Sequence, residues 1–98
     1  MFIAVLTVEY ALHGNESLKG KRRVANSLKQ KARNTFNVAV AEDGTEDSLT
    51  RLRLKFISPS NSQQHLQSRM DKCLAMLEAI TSEEMMYSEL HILDADEY

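Results

Sequence analysis

The apolar residues of this chain switch between a period of two and a period near 3.6, and the order of those switches constrains its fold more than any other feature. From Phe2 to Leu12 every even position (Phe2, Ala4, Leu6, Val8, Tyr10, Leu12) is apolar or aromatic, as in a strand with one face on a core. Gly14 and Asn15 break the run. Ser17 or Asn15 can cap a helix in which Val24, Ala25, Leu28 and Ala32 recur at spacings of one, three and four, ending near Asn34. Phe36, Val38 and Val40 alternate again, the polar stretch EDGTED makes a turn, and Leu52, Leu54 and Phe56 alternate after it, which reads as a hairpin. Pro59 then precedes a second helix: Ser60 and Gln63 have capping-box spacing, and Leu66, Met70, Cys73, Leu74, Leu77 and Ile80 form an apolar stripe. A last strand is expected from Met85 to Leu93, with Met86, Leu90 and Ile92 on one face and Ser88 interrupting it.

The order is therefore strand, helix, strand, strand, helix, strand. Right-handed crossovers fold it most readily into an α+β, ferredoxin-like sandwich: β-α-β-β-α-β, a four-stranded antiparallel sheet in the order 4-1-3-2 with both helices on one face. The hairpin turn then lies at the end of the sheet where the first helix starts, and the C-terminus near that helix's far end. One such domain over residues 1–98 can bury roughly two-thirds of its unfolded surface, enough for a core without metals or disulfides. The only cysteine, Cys73, cannot form an internal disulfide, which fits a reducing cytoplasm. The apolar start, Phe2 to Val8, has no basic residue before it and meets Glu9 at once, so no export or membrane insertion is expected.

Several chemistries found on this fold lack their residues here. LHGNES has no Arg for an acylphosphatase loop, Phe56 shares parity with the core residues Leu52 and Leu54 and so offers no open-face stacking platform, and there is no Cys-x-x-Cys, GxGxxG or phosphate loop. His13, His65 and His91 are scattered without ligand spacing, Cys73 sits on an apolar stripe, and His13 beside Glu16 has no partner nucleophile. A non-enzymatic domain without cofactor or metal is expected.

The charge pattern is uneven. Net charge is −2, yet Glu16 to Phe36 holds seven Lys or Arg and no acid after Glu16. On a helical wheel Arg22, Asn26, Lys29 and Arg33 form one outward stripe, with Lys19, Arg23 and Gln30 beside it. Lys19 with Arg23 and Lys29 with Arg33 are like-charge neighbours, each opposing the helix by roughly 0.2–0.5 kcal/mol. Cations at the positive helix start cost a further 0.3–1 kcal/mol each, about as much as a weak hydrogen bond. Helix formation alone does not select this arrangement. Lys19, Arg22, Arg23, Lys29 and Arg33 are therefore the candidate RNA- or anion-binding residues, with the helix N-terminus and the bare backbone of Gly20 as a further phosphate contact. Two readings need no partner: a merely solvated basic face, or neutralisation by Glu42, Asp43, Glu46 and Asp47 near the helix start and by Asp94, Asp96 and Glu97 near Lys31 and Arg33.

The run from Ser17 to Glu42 resembles the YlxP-like family of small bacterial proteins, in SLKGKRRV, the following SLK, and FNVAVAE. The resemblance implies a ferredoxin-like sandwich and genes that neighbour those of translation and ribosome-maturation factors. The chain departs from the family pattern at Gly20, where an acid or another helix former is more usual, and in DSLTRLRLKF, which lacks a Trp near Leu49 and is more basic.

The open face of the sheet is the second candidate surface. Ile3 and Val5 on the odd side of the first strand, with Ala39, Ala41 and Ile57, make an apolar patch that a second copy of the chain could cover. Arg51, Arg53 and Lys55 share that face as a secondary basic surface, either ringing the patch or serving as an RNA platform. The leading expectation is a cytoplasmic interaction protein of the translation apparatus that contacts RNA or the ribosome through its first helix. The alternative is a homodimeric regulatory or scaffold domain whose open face binds itself, another protein or a small ligand.

Overall fold

A computed structural model describes residues 1–97, with the side chain of Glu97 left out, and its elements follow the expected order. They are β1 (Phe2–Ala11), α1 (Leu18–Thr35), β2 (Ala39–Glu42), β3 (Arg51–Ser60), α2 (Gln63–Ala79) and β4 (Glu84–Asp94), followed by a short 3-10 turn, Ala95–Glu97. The sheet order β2-β3-β1-β4 is the expected 4-1-3-2 read from the other edge, and all three pairings are antiparallel. This is the ferredoxin-like α+β sandwich. Among the described residues no helix is long and apolar enough to cross a membrane.

The even positions of β1 and β3 turn toward the helices. Leu6, Val8, Tyr10, Leu52, Leu54 and Phe56 are buried there against Ala25, Leu28 and Ala32 of α1 and Leu66, Met70, Cys73 and Leu77 of α2. Each large side chain so buried contributes about 1.5–3 kcal/mol. Tyr10 brings a hydroxyl into this layer and satisfies it by donating to the Leu77 carbonyl at 3.3 Å. Burial raises its pKa and pushes the Cys73 thiol up to about 11, so neither group ionises near neutral pH.

Three local details differ from the periodicity. The Phe36 N–H closes α1 onto the Ala32 carbonyl at 2.8 Å and the Val38 N–H turns back to the Phe36 carbonyl at 3.0 Å, so both side chains pack on the core from outside β2. β3 runs through Pro59, because pairing with β2 stops at Ile57 and β3 is an edge beyond it. The Pro59 carbonyl accepts from Arg69 at 2.9 Å, and the residue capping α2 is consequently Ser62, whose Oγ accepts from the His65 N–H at 3.2 Å, rather than Ser60. In β4 the register against β1 shifts between Glu9 and Tyr10: Glu9 faces Tyr87 and Tyr10 faces Met85, leaving Met86 as an extra residue. This bulge sends Met85 inward and leaves Met86 48% exposed, the reverse of the expected face.

Candidate functional site

The start of α1 is closed by its own side chains. Ser17 Oγ accepts from the Gly20 N–H at 3.0 Å, while Asn15 Nδ2 donates to the carbonyls of Ser17 at 2.9 Å and Leu49 at 2.6 Å, tying the helix entry to the β2–β3 loop. A Cβ on Gly20 would lie 2.3 Å from Asn15 Oδ1. The space expected to receive phosphate above Gly20 is thus filled by Asn15, and the missing side chain makes room for that carboxamide.

One cation of α1 is a buried structural group. Lys21 is 2% exposed, and its ammonium has three donors for three oxygens: Glu42 Oε2 at 2.7 Å and the carbonyls of Thr45 and Ser48 at 2.5 Å each. The chain of contacts continues, since Thr45 Oγ1 donates to Glu42 at 2.7 Å and accepts from the Arg53 N–H at 2.9 Å. Burial pushes the Glu42 carboxyl up, but hydrogen bonds from Lys21 and Thr45, with the charges of Lys21 and Lys29, outweigh it and hold the pKa below the usual carboxylate range. The sequence did carry a signal for this role: positions 21, 25, 28 and 32 are the buried line of the helix, and a lysine stands on it.

The remaining cations are exposed or nearly so. Arg22, Asn26 and Lys29 line a cleft of about 400 Å³ beside Glu42 and Glu46, and Asn26, Lys29, Gln30, Arg33 and Asn34 line the next, of about 430 Å³. Asn26 and Lys29 belong to both, so the stripe is one groove along α1. Arg23 lies apart, in a cleft between the helices with Val24, Ser27, Ile80 and Thr81, and Lys19 is exposed and lines none of these clefts. The expected five are therefore divided: Arg22, Lys29 and Arg33 come together, and Arg23 does not join them.

Internal neutralisation reaches little of this charge. Among the described residues only Lys21, of the seven cations from Glu16 to Phe36, forms an ion pair. Asp43 pairs instead with Lys55 at 3.4 Å and Asp96 with the N-terminal ammonium at 2.8 Å. Glu46 is spent on the backbone of its own loop, accepting from the N–H groups of Gly44 and Thr45. The expected reach of Glu97 lies outside the described side chains.

On the open face Val5 sits between Ile57 and His91, and Ile3 between Pro59 and Leu93, with Ala39 beside Ile57 and Ala41 beside Lys55. Ile57 is 43% exposed and Leu93, which was not among the expected patch residues, is 40% exposed, so exposed apolar surface gathers at one end of the face. Of the secondary basic residues, Arg51 and Arg53 occupy the other end and Lys55 the middle. Arg51 lies 3.9 Å from Glu9 and also touches Met86, while Arg53 reaches across β1 to lie 5.7 Å from the centre of the Tyr87 ring. Beside them runs a string not anticipated from sequence: Tyr87 donates to Glu89, and His91 Nε2 lies 2.5 Å from the same carboxylate. The bond from Tyr87, then that from His91, holds the Glu89 pKa low, and the same bond raises that of Tyr87. His13 meets Glu84 at 2.6 Å, not Glu16, and so links the β1–α1 loop to β4.

Residues 3–90 match the family described as Protein of unknown function (DUF503). The chain belongs to that family. None of the curated proteins matches it. Among solved structures it is similar to the protein YJCS, with a TM-score of 0.53 at 10% identity over 95% of this chain and 98% of that one. It is similar also to protein Atu4242 from Agrobacterium tumefaciens, with a TM-score of 0.54 at 13% identity over 96% and 92% of the two chains. A third is SnoaB, a cofactor-independent oxygenase from Streptomyces nogalater, with a TM-score of 0.51 at 9% identity over 95% and 92%. At such identities the likeness is one of fold. It nonetheless corrects the expectation of a non-enzymatic domain: an oxygenase that needs no cofactor is built on this fold, so the motifs missing here exclude only the reactions that use them.

Proposed function

We propose that this member of the DUF503 family is a cytoplasmic interaction protein that contacts RNA through the groove along α1, as part of the translation apparatus. The observation that carries the reading is that, among the described residues, six of the seven cations between Glu16 and Phe36 form no ion pair although the chain as a whole is acidic. Arg22 to Arg33 spans about 16 Å of helix, at about 1.5 Å per residue, long enough to follow a strand of phosphates. The polar groups between the cations, Asn26, Gln30 and Asn34, add donors without adding negative charge. The resemblance to YlxP-like proteins supports the link to translation.

Salt dependence tests it. If Arg22, Lys29 and Arg33 in the groove and the exposed Lys19 outside it each contact a phosphate of single-stranded RNA, log K falls against log salt with a slope near −3, at about 0.7 per contact. Reversing Arg22, Lys29 and Arg33 to Glu should flatten that slope by roughly two and weaken all RNA sequences alike, since phosphates carry no base identity. Arg23→Glu, in the other cleft, is the control and should change the slope least. Fluorescence anisotropy with a labelled ribosomal RNA fragment, from about 50 to 300 mM salt, reads all three. Absence of binding at the lowest salt, or a triple reversal that binds like the wild type, refutes the proposal.

A further inference from the structure

The open face of the sheet is sorted by charge along its strands. β3 carries Arg51, Arg53 and Lys55; β4, two strands away, carries Glu84 and Glu89; β1 between them presents Ile3, Val5 and Thr7, with Glu9 taken by Arg51. Lys55 also lies 3.4 Å from Asp43, and Glu89 also holds Tyr87 and His91, so a contact between copies shares these groups with their own chain's partners. Apolar residues are sorted the other way, toward the end of the face that holds Ile3, Ile57 and Leu93. Any second copy laid face to face on this surface must satisfy both gradients. A twofold axis running across the strands sets β3 over the partner strand of the same sign and the apolar end over the charged end. A twofold axis running along β1 does the opposite on both counts. It sets the basic lane over the acidic lane and keeps the apolar end over the apolar end.

We infer that the open face is an interface between two copies of this chain, related by a twofold axis along β1, in which Lys55 of each meets the partner's Glu89. Lys55, Thr7 and Glu89 form the middle row of the face, with Thr7 on the axis. Packed sheets cross by about 30°, so the lanes overlie one another best in that row. Three strands (β3, β1 and β4) about 4.8 Å apart and ten residues at about 3.3 Å give a flat footprint of roughly 480 Å² per partner, a small interface at the low end of those that form. The groove along α1 lies on the opposite side of the sheet, so this inference stands apart from RNA binding.

Light scattering coupled to chromatography should give the wild type twice the 11.1 kDa of one chain at about 100 μM. Lys55→Glu and Glu89→Lys each create two repulsive pairs in a homodimer, and each should elute as a monomer. Mixed in equal amounts, the two variants have only attractive pairs between them, and the mixture should recover the dimer mass. Neither a folding defect nor a contact within one chain produces that recovery. Ile57→Glu, exposed and outside the core, supplies a second variant that should be monomeric. A wild type monomeric at about 1 mM, far above a micromolar dissociation constant, overturns the inference. So do single variants that stay dimeric, and a mixture of monomeric variants that stays monomeric.

Discussion

Removing the Lys21 ammonium while keeping its stem, as in Lys21→Met, should destabilise the fold by about 2–3 kcal/mol. Breaking a buried ion pair by deleting one partner costs about 3–5 kcal/mol where both charges are enclosed. Here the Glu42 side chain keeps 21% exposure, and it retains the Thr45 hydroxyl and the nearby Lys29 charge, which lowers the figure. The loop carbonyls of Thr45 and Ser48 each lose a donor, at about 0.5–1.5 kcal/mol, since water reaches them once the loop loosens. Methionine matches the lysine stem closely enough that cavity formation adds little. With a urea slope of about 1–1.5 kcal/mol/M for a chain of this size, the midpoint should fall by roughly 2 M. Lys21→Arg should not rescue it, because a planar guanidinium cannot point three donors at three converging oxygens in the space of an ammonium. A Lys21→Met midpoint within the equivalent of about 0.5 kcal/mol of the wild type, the ordinary range of surface changes, would refute the reasoning.

The same contact makes stability depend on acid. Glu42 has a lowered pKa in the folded chain, so its contribution is fully present above the ordinary carboxylate pKa and is lost as pH falls through the folded value. The gap between wild type and Lys21→Met in urea midpoints should therefore narrow from pH 7 to pH 3, and a constant gap would count against the pairing. At Gly20, alanine is the better helix former by up to about 1 kcal/mol, yet it collides with Asn15 and endangers two hydrogen bonds worth about 1 kcal/mol each. Gly20→Ala should then destabilise the wild type by about 1 kcal/mol but stabilise an Asn15→Ala variant, a sign change that a double-mutant cycle by urea unfolding reads directly.

Much of the fold was legible because burial obeys period. The even positions of β1 and β3 and the stripes of α1 and α2 are core positions, and the sheet order follows from connection handedness. What escaped notice depends on contacts distant in sequence. Pro59 reads as a breaker until the length of β2 is known, and Met86 reads as inward until the bulge opposite Tyr10 is seen. The candidate groove was half legible: charge and helical angle placed Arg22, Lys29 and Arg33 together, whereas Arg23's separation depends on where α2 packs. Lys21 was passed over: it was one of the seven cations of the segment and was given no place, although its position on the buried line was visible. The oxygens that make its burial tolerable come from a loop more than twenty residues away.

The bulge in β4 bears on how this sheet ends. Glu84–Asp94 is an eleven-residue edge with neither Pro nor Lys along it, the sort of unpaired backbone on which fibres and runaway sheets grow. An added strand that followed its ladder from Asp94 would lose register at Met86, where the extra residue also sharpens the local twist. The opposite border, β2, is four residues long and offers too short a template. Lateral growth is thus checked on both sides by different means, brevity at one edge and broken register at the other.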